Sequence, residues 1–425
     1  MGTARQRIAV VGSGISGLCT AHVLSQRHDI TLFEAEARLG GHTHTIPIDH
    51  GGTRYAIDTG FIVYNDRTYP NFVALLDRLG VATQPSAMSF SVHCDETGLE
   101  YNGTSLNALF AQRRNLLRPS FWWMIREILR FNREARELLS SPDDSLTLSA
   151  FLERGRYSKT FVRHYLVPMG AAIWSTAPEQ MLAFPAAWFV RFFDNHGFLS
   201  VDDRPVWRVI QGGSSSYLPK LTQRFAAGIR MSSPVESVRR TEAGVVISVR
   251  GRDPEAFDAV VIACHSDQAL RMLADPTDAE RAVLGAIPYQ ENTAVLHTDR
   301  RFLPRRKLAW AAWNYHLPRD DGRRARPARV SLTYSMNILQ SLDAPVEFLV
   351  TLNRDADIDP KTILRRITYH HPLYTREGVA AQARHAEISG QRQTYYCGAY
   401  WRFGFHEDGV VSALEVCKQF GMALS

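Results

Sequence analysis

No run of eighteen or more apolar residues occurs in the 425-residue chain, which argues against a membrane-spanning helix. Cysteine is scarce. Cys19, Cys94, Cys264, Cys397 and Cys417 stand singly with no Cys-x-x-Cys pair, and their odd number argues against a disulfide framework and for a reducing compartment. Metal-ligand spacing is missing too: His42 and His44 have no cysteine partner and His370–His371 precede a proline, so no metal site is expected. The first apolar strand begins at Ile8, which leaves no room for the apolar region of a signal peptide and predicts a cytoplasmic protein. Low-complexity tracts are absent. The formal charge of +6 is modest, and no recognition module accompanies it, so nucleic acid is not an expected partner. What the chain has is length enough for two joined domains.

Near its start lies "RIAVVGSGISGLCTAHVLSQRHDITLFEAE". "IAVVG" is a short β-branched run of the kind that forms a buried parallel strand. It enters Gly12-Ser13-Gly14-Ile15-Ser16-Gly17, and a helix follows. Gly12 permits the tight turn, Gly14 admits a pyrophosphate close to the backbone, and Gly17 lets helix and strand pack closely. A second strand, "DITLFE", ends in Glu34, about twenty residues on, where an acid binds a ribose hydroxyl. Strand, loop, helix, strand and acid in register predict an adenine dinucleotide on the helix N-terminus.

The next segment, "EAEARLGGHTHT", separates NAD from FAD. Arg38 and Gly40-Gly41 directly after the acidic strand end resemble the flavin-containing amine oxidase superfamily, which includes protoporphyrinogen oxidases and phytoene-type desaturases. That pattern has Arg-x-Gly-Gly-Arg; here His42 replaces the second arginine. The resemblance implies bound FAD, with Ala35, Arg38, Leu39, Gly40, Gly41 and His42 near the ribose and pyrophosphate. "YAIDTGFIVYN" resembles the loop that passes the isoalloxazine, which implies Asp58, Thr59, Gly60, Phe61 and Ile62 there. By the same resemblance Val235 meets the adenine through its backbone. "YYCGAYWRFGFHEDGVVSALEVCKQFG" resembles the family's closing strand, loop and helix, placing Tyr400, His406, Asp408, Gly409 and Val410 at the flavin. Ala399 stands where the family has an acid. This ending looks like a bacterial group described as NAD/FAD-binding or FAD-dependent amine oxidoreductases, found beside fatty-acid methylation genes.

The expected fold class is α/β: a Rossmann-like FAD-binding domain of the amine-oxidase type, interleaved with an α+β substrate domain. Residues 1–69, 207–265 and 393–425 are assigned to the first. Residues 70–206, a helical lobe, and 266–392, an antiparallel sheet, are assigned to the second. "MSSPVESVRR", "GVVISVR" and "AFDAVVIACHS" read as three strands, and "ENTAVLHT", "RVSLTYSMN" and "EFLVTL" as strands of the substrate domain.

Catalytic candidates are few. His406 is an imidazole in the loop expected at the flavin, with acid–base work and bracing of the loop as its two readings. Lys307 is the lysine whose place best suits the family's amine oxidase lysine, and solvent exposure is its other reading. Tyr64, Trp174, Tyr315 and Trp401 are candidate cavity aromatics. In "PSFWWMIREILRFNREARELL", Met124, Ile128, Phe131, Ala135 and Leu138 recur at helical spacing with arginines off the stripe. That segment is either an interfacial helix lying on a membrane or a wall helix of its own domain. A second basic tract holds nine arginines from Arg300 to Arg329. Together these features predict a FAD-dependent oxidoreductase that removes a hydride from an apolar, lipid or fatty-acyl substrate to flavin N5, with peripheral contact on the inner face of the membrane. An amine oxidase releasing hydrogen peroxide, and a non-catalytic flavin-binding partner of a lipid-modifying enzyme, are the alternatives.

Overall fold

The computed structural model describes residues 5–140, 146–200, 205–319 and 330–424. Strand β1 (Arg7–Val11) is buried from Ile8 onward because it lies inside a five-stranded parallel sheet, with β2 (Asp29–Phe33) on one side and the strand Ala259–Ile262 on the other. Ile229–Arg230 and Thr394–Tyr396 form the two edges. A parallel sheet is covered on both faces, so its strands read as continuous apolar runs, as "IAVV" and "AVVI" do. Helix α1 (Ile15–Leu24) is buried nearly all round, between this sheet and the closing helix of the chain. The expected third strand divides: Glu255–Phe257 joins Val235–Thr241 and Gly244–Val249 in an antiparallel sheet, whereas Ala259–Ile262 enters the parallel one.

A seven-stranded sheet forms the second layer, in the order Ile363–Pro372, Tyr289–His297, Leu349–Leu352, Leu332–Ser335, Trp313–Leu317, Phe90–Cys94, Leu99–Asn102. Its neighbours are antiparallel except where Trp313–Leu317 runs parallel to Phe90–Cys94. The stretch expected to be a helical lobe therefore also supplies two strands of this sheet, and a third, Thr83–Pro85, to a smaller one. Its helices include α2 (Pro70–Arg78), α3 (Pro119–Glu134) and α4 (Ala186–Asn195). On α3 the predicted stripe turns inward: Met124, Phe131 and Ala135 are fully buried, Ile128 and Leu138 partly, which is the wall-helix reading. The α-helix stops at Glu134, five residues short of the expected end, and a 3-10 turn, Ala135–Ser140, continues it.

Helix α5 (His406–Gln419) closes the chain and locks to α2 through one carboxylate. Glu407 accepts from Asn71 N (3.1 Å), Asn71 Nδ2 (2.7 Å) and Phe72 N (2.8 Å), satisfying the free N–H groups at the start of α2. A second buried carboxylate ties the layers together. Asp58 accepts from Thr45 Oγ1 (2.5 Å), Ser214 N (2.8 Å) and Gln340 Nε2 (3.2 Å), while burial raises its pKa to about 6. This clasp anchors the chain just ahead of residues 59–62.

Candidate active site

One large cavity of about 740 Å³ runs between the parallel sheet and the second layer. Its two walls differ in chemistry. The crevice wall is built from the β1–α1 turn, the end of β2 and the loops beyond residues 233 and 263. Gly12 has φ +103 and donates its N–H to Phe33 O (2.8 Å), which makes the tight turn. A Cβ on Gly17 would lie 2.0 Å from Gly12 O, so the helix packs on the turn only because that position is bare. A Cβ on Gly14 would meet nothing within 4 Å: here the missing side chain opens space toward the cavity. The first turn of α1 has no side-chain cap and no acid, so its N–H groups and positive dipole end are free for an anion. Glu34 accepts from Ser13 N (2.9 Å) and Ser13 Oγ with one oxygen and from Glu36 N (2.8 Å) with the other, which fixes the carboxylate at the strand end. Arg38 donates to Gly41 O (2.8 Å) and pairs with Glu36 (3.1 Å).

These features fit a bound dinucleotide. The open cradle at Gly14 has room for a pyrophosphate, and His42 Nε2 and Tyr400 Oη, buried polar atoms of lining residues, have no partner among the described residues. Of the sequence candidates, Gly12, Ser13, Gly14, Ile15, Ser16, Glu34, Ala35, Arg38, Gly40, Gly41, His42, Gly60, Phe61, Ile62, Val235, Tyr400 and His406 line the cavity. Gly17, Leu39, Thr59, Asp408, Gly409 and Val410 sit behind the lining. Asp408 accepts from Phe405 N (2.9 Å) and so caps the start of α5, with burial pushing its pKa up to about 7. A Cβ on Gly409 would lie 2.6 Å from Ile15 Cγ2, so that glycine serves the packing of α5 on α1. His42 does not replace the charge of the family's second arginine: burial, with His371 and His265 nearby, holds its pKa far below the ordinary range, and the neutral ring stacks on Tyr369 at 4.8 Å.

Two catalytic expectations need correction. Lys307 is exposed in a short turn, its Nζ 5.8 Å from the Trp310 ring centre, and it takes no part in the cavity. The second half of the basic tract lies outside the described residues. His406 does line the cavity, but burial lowers its pKa to about 3. Its Nε2 bonds to Tyr217 Oη (2.9 Å), whose oxygen also meets Thr43 Oγ1 (2.8 Å), and its ring stacks on Phe61 at 3.7 Å. That is a neutral imidazole bracing the 59–62 loop, not a group that titrates near neutrality.

The lobe wall is aromatic. Trp174, Phe192, Phe198, Trp313, Tyr374 and Phe405 line it together with Met88, Ile173 and His196. Among the described residues no Asp, Glu, Lys or Arg from the lobe or the seven-stranded sheet lines the cavity; Glu34, Glu36, Arg38, Glu236 and Arg271 all belong to the crevice wall. His196 and His371 are held at about 4 by burial and are neutral. The tautomer of His371 follows from its neighbours. Asn292 Oδ1 accepts from Gln290 Nε2 (3.2 Å) and Asn353 Nδ2 (2.8 Å), so its Nδ2 donates to His371 Nδ1 (2.9 Å) and leaves the ring proton on Nε2. Phe192 and Phe405 stack directly on each other at 4.8 Å, leaving no slot between them for a ligand. Sequence reading did not find His371, Asn292 or Phe192; the His370–His371 pair had been noticed only for its lack of metal spacing. Of the aromatic candidates, Trp174 lines the cavity, whereas Tyr64, Tyr315 and Trp401 pack in the cores.

Among the described residues one trio has metal-ligand proximity, His93, Asp95 and His316. Arg354 Nη1 donates to His316 Nδ1 (2.5 Å), which puts the ring proton on Nε2, facing Asp95 (2.9 Å). Metal on Nε2 would require the opposite tautomer, so the trio reads as a hydrogen-bonded chain.

Comparison with known proteins gives a family-model match over residues 15–370, described as flavin containing amine oxidoreductase. Solved structures with this fold include cyclohexylamine oxidase from Brevibacterium oxydans IH-35A, at 15% identity and TM-score 0.70, covering 98% of this chain and 100% of that one. Others are a CLA-producing fatty acid isomerase from P. acnes (16%, TM-score 0.67, 98% of each chain) and wild-type putrescine oxidase bound to putrescine (14%, 0.66, 98% and 99%). No curated protein matches the chain.

Proposed function

The chain belongs to the flavin containing amine oxidoreductase family, as a FAD-dependent oxidoreductase, and within that family we propose that it removes a hydride from an uncharged, apolar substrate, a lipid or fatty-acyl chain. The observation that carries this reading is the lobe wall: rings, aliphatic side chains and the neutral imidazoles of His196 and His371, with no carboxylate, lysine or arginine among its described residues. A cationic amine entering that wall would be desolvated without a carboxylate to compensate it, at a cost of several kcal/mol. An alkyl chain would instead be stabilised by about 0.8 kcal/mol per buried methylene.

Bound FAD supplies the acceptor for the hydride. The residues proposed to hold it are those of the crevice wall: Gly14 and the first N–H groups of α1 at the pyrophosphate, Glu34 at the ribose, Val235 at the adenine, and Gly60–Ile62 at the ring. The aromatic wall excludes water and fixes the substrate chain. His371, with its proton on Nε2, offers a neutral donor to a carbonyl or carboxyl oxygen of the substrate. Trp174, Trp313 and Tyr374 add buried N–H and O–H groups that have no partner among the described residues. Peripheral contact with a membrane belongs to the same reading.

The test is anaerobic. Flavin-loaded protein is mixed with bacterial phospholipids, free fatty acids or a panel of amines, and bleaching of the oxidised flavin is followed. Bleaching by a lipid class supports the proposal, and bleaching by amines alone overturns it. Amine oxidation is the second reading, suggested by the likeness to cyclohexylamine oxidase and putrescine oxidase; it predicts hydrogen peroxide from amines in air.

A further inference from the structure

The described chain exposes ten large apolar side chains, and six of them, Leu106, Leu116, Leu117, Trp122, Trp123 and Leu129, lie in one short stretch. Leu117 is 87% and Leu106 77% exposed, and the two indoles are about half exposed. They are neighbours in space as well. Trp122 packs on Phe110 (ring centres 5.1 Å apart) and donates its Nε1–H to Leu116 O (2.9 Å), which binds the turn Arg113–Leu117 to the first turn of α3. Trp122, Trp123, Arg126, Leu129 and Arg133 recur at three- and four-residue intervals and form the outer face of α3, opposite the buried stripe. The short helix Leu106–Leu109 packs against the turn Lys307–Ala309, which brings a seventh exposed side chain, Leu308, to the same face.

The charge around these side chains has one sign. From Gly103 to Arg126 there is no acid and there are four arginines, Arg113, Arg114, Arg118 and Arg126. Arg113, Arg114 and Arg118 bond only to neutral oxygens, and Arg126 lies 5.5 Å from the Trp123 ring centre; among the described residues none of the four pairs with a carboxylate. Residues 300–308 contain no acid themselves, although Arg301 pairs with Asp299 and Arg306 with Glu100. Protein interfaces carry rims of mixed charge, whereas a face of protruding leucines, paired indoles and unneutralised arginines matches a surface that is apolar below and uniformly negative above.

We propose that this face docks the protein on an anionic lipid bilayer, with Leu106 and Leu117 entering the acyl boundary, Trp122 and Trp123 at headgroup depth, and the arginines on the lipid phosphates. The surface is not the one the sequence pattern suggested: the Met124–Leu138 stripe is spent on the protein's own core, and the side chains left outside do the docking. The same lobe carries α4, whose Phe192, with His196 and Phe198 just beyond it, lines the cavity, so docking holds the lobe wall's own domain against the source of an acyl substrate. The proposal deepens the lipid reading and rests on it for the meaning of the contact, not for the contact itself.

The experiment is sedimentation of the flavin-loaded full chain with vesicles of phosphatidylglycerol and phosphatidylcholine, with tryptophan emission as the second readout. The expected result is binding with a blue shift, weakened tenfold or more on pure phosphatidylcholine or when salt rises from about 0.05 to about 0.5 M. Leu117→Glu, and separately Trp123→Glu, should each weaken binding at least tenfold at unchanged flavin content. Protein left in the supernatant, or variants that bind like the wild type, would overturn the proposal. So would variants whose only effect is to dissolve a dimer, which would make the face a self-association surface. No turnover is involved: vesicle binding by a protein whose flavin no lipid bleaches removes the substrate reading alone, and bleaching by detergent-dispersed lipid without vesicle binding removes the docking alone.

Discussion

The crevice wall is made of backbone, glycine and a few pinned charges; the lobe wall is made of rings and imidazoles, with no carboxylate, lysine or arginine among its described residues. On the first, specificity comes from what is missing: side chains absent at Gly14 and Gly17, and no cap on α1. On the second it comes from bulk and from protons kept off His196, His371 and His406 by burial. A dinucleotide is recognised along its charged backbone, so its site can be written in a short local motif. An apolar substrate is recognised by shape and by the absence of charge, and that requires residues brought from far apart.

Breaking the crevice should have the largest effect. Gly17→Val places a side chain 2.0 Å from Gly12 O, within the turn itself, and the expected outcome is loss of soluble, yellow protein, read from yield and the flavin-to-protein absorbance ratio. Gly14→Ala sharpens the contrast. Its Cβ meets no protein atom, so the flavin-free protein should keep its melting temperature while FAD affinity falls roughly tenfold to a hundredfold, about 1.4–2.7 kcal/mol, as measured by titration. If affinity is unchanged, the pyrophosphate does not approach there.

The imidazoles can be read through pH. Each is neutral in the folded state down to about 4 or 3 but protonates near 6.5 when unfolded, so each removes stability as pH falls below 6.5. Asp58 and Asp408, raised to about 6 and about 7, act in the opposite sense, because their folded forms take up protons first. His44, His93, His265 and His297, all held at about 4, join the lobe-wall imidazoles and outnumber the two carboxyls. Lowering pH from 7 to 5 should therefore cost at least about 2 kcal/mol and a few degrees of Tm, measured by calorimetry with and without FAD. A rise in Tm would contradict the neutral-imidazole reading of the lobe wall. Lys307→Met should have the smallest effect: flavin reduction by the best substrate stays within about twofold, because the side chain lies on the surface beside Trp310. A large loss would restore the amine oxidase reading.

Legibility follows the same division. The β1–α1 turn could be read because a turn, a dipole end and an acid about twenty residues away are local events with strong conformational demands. Ala263 abuts Gly12 as the strand Ala259–Ile262 ends, and His42 stacks on Tyr369; neither contact leaves a trace in spacing. The α3 stripe was visible as a periodicity, but periodicity reports only that one face is apolar and not what covers it. The family resemblance placed Asp408 at the flavin; the structure spends it on the start of α5, as it spends Glu407 on the start of α2.

By itself, the sequence determined that a glycine turn of Rossmann type lies at residues 12–17 between a strand and a helix, and that no run of eighteen or more apolar residues occurs. Only the tertiary structure decided which histidines are neutral, which way the ring proton of His371 lies, and which apolar side chains remain outside. Burial and hydrogen-bond partners are properties of elements packed together from distant parts of the chain, and no local window of sequence contains them.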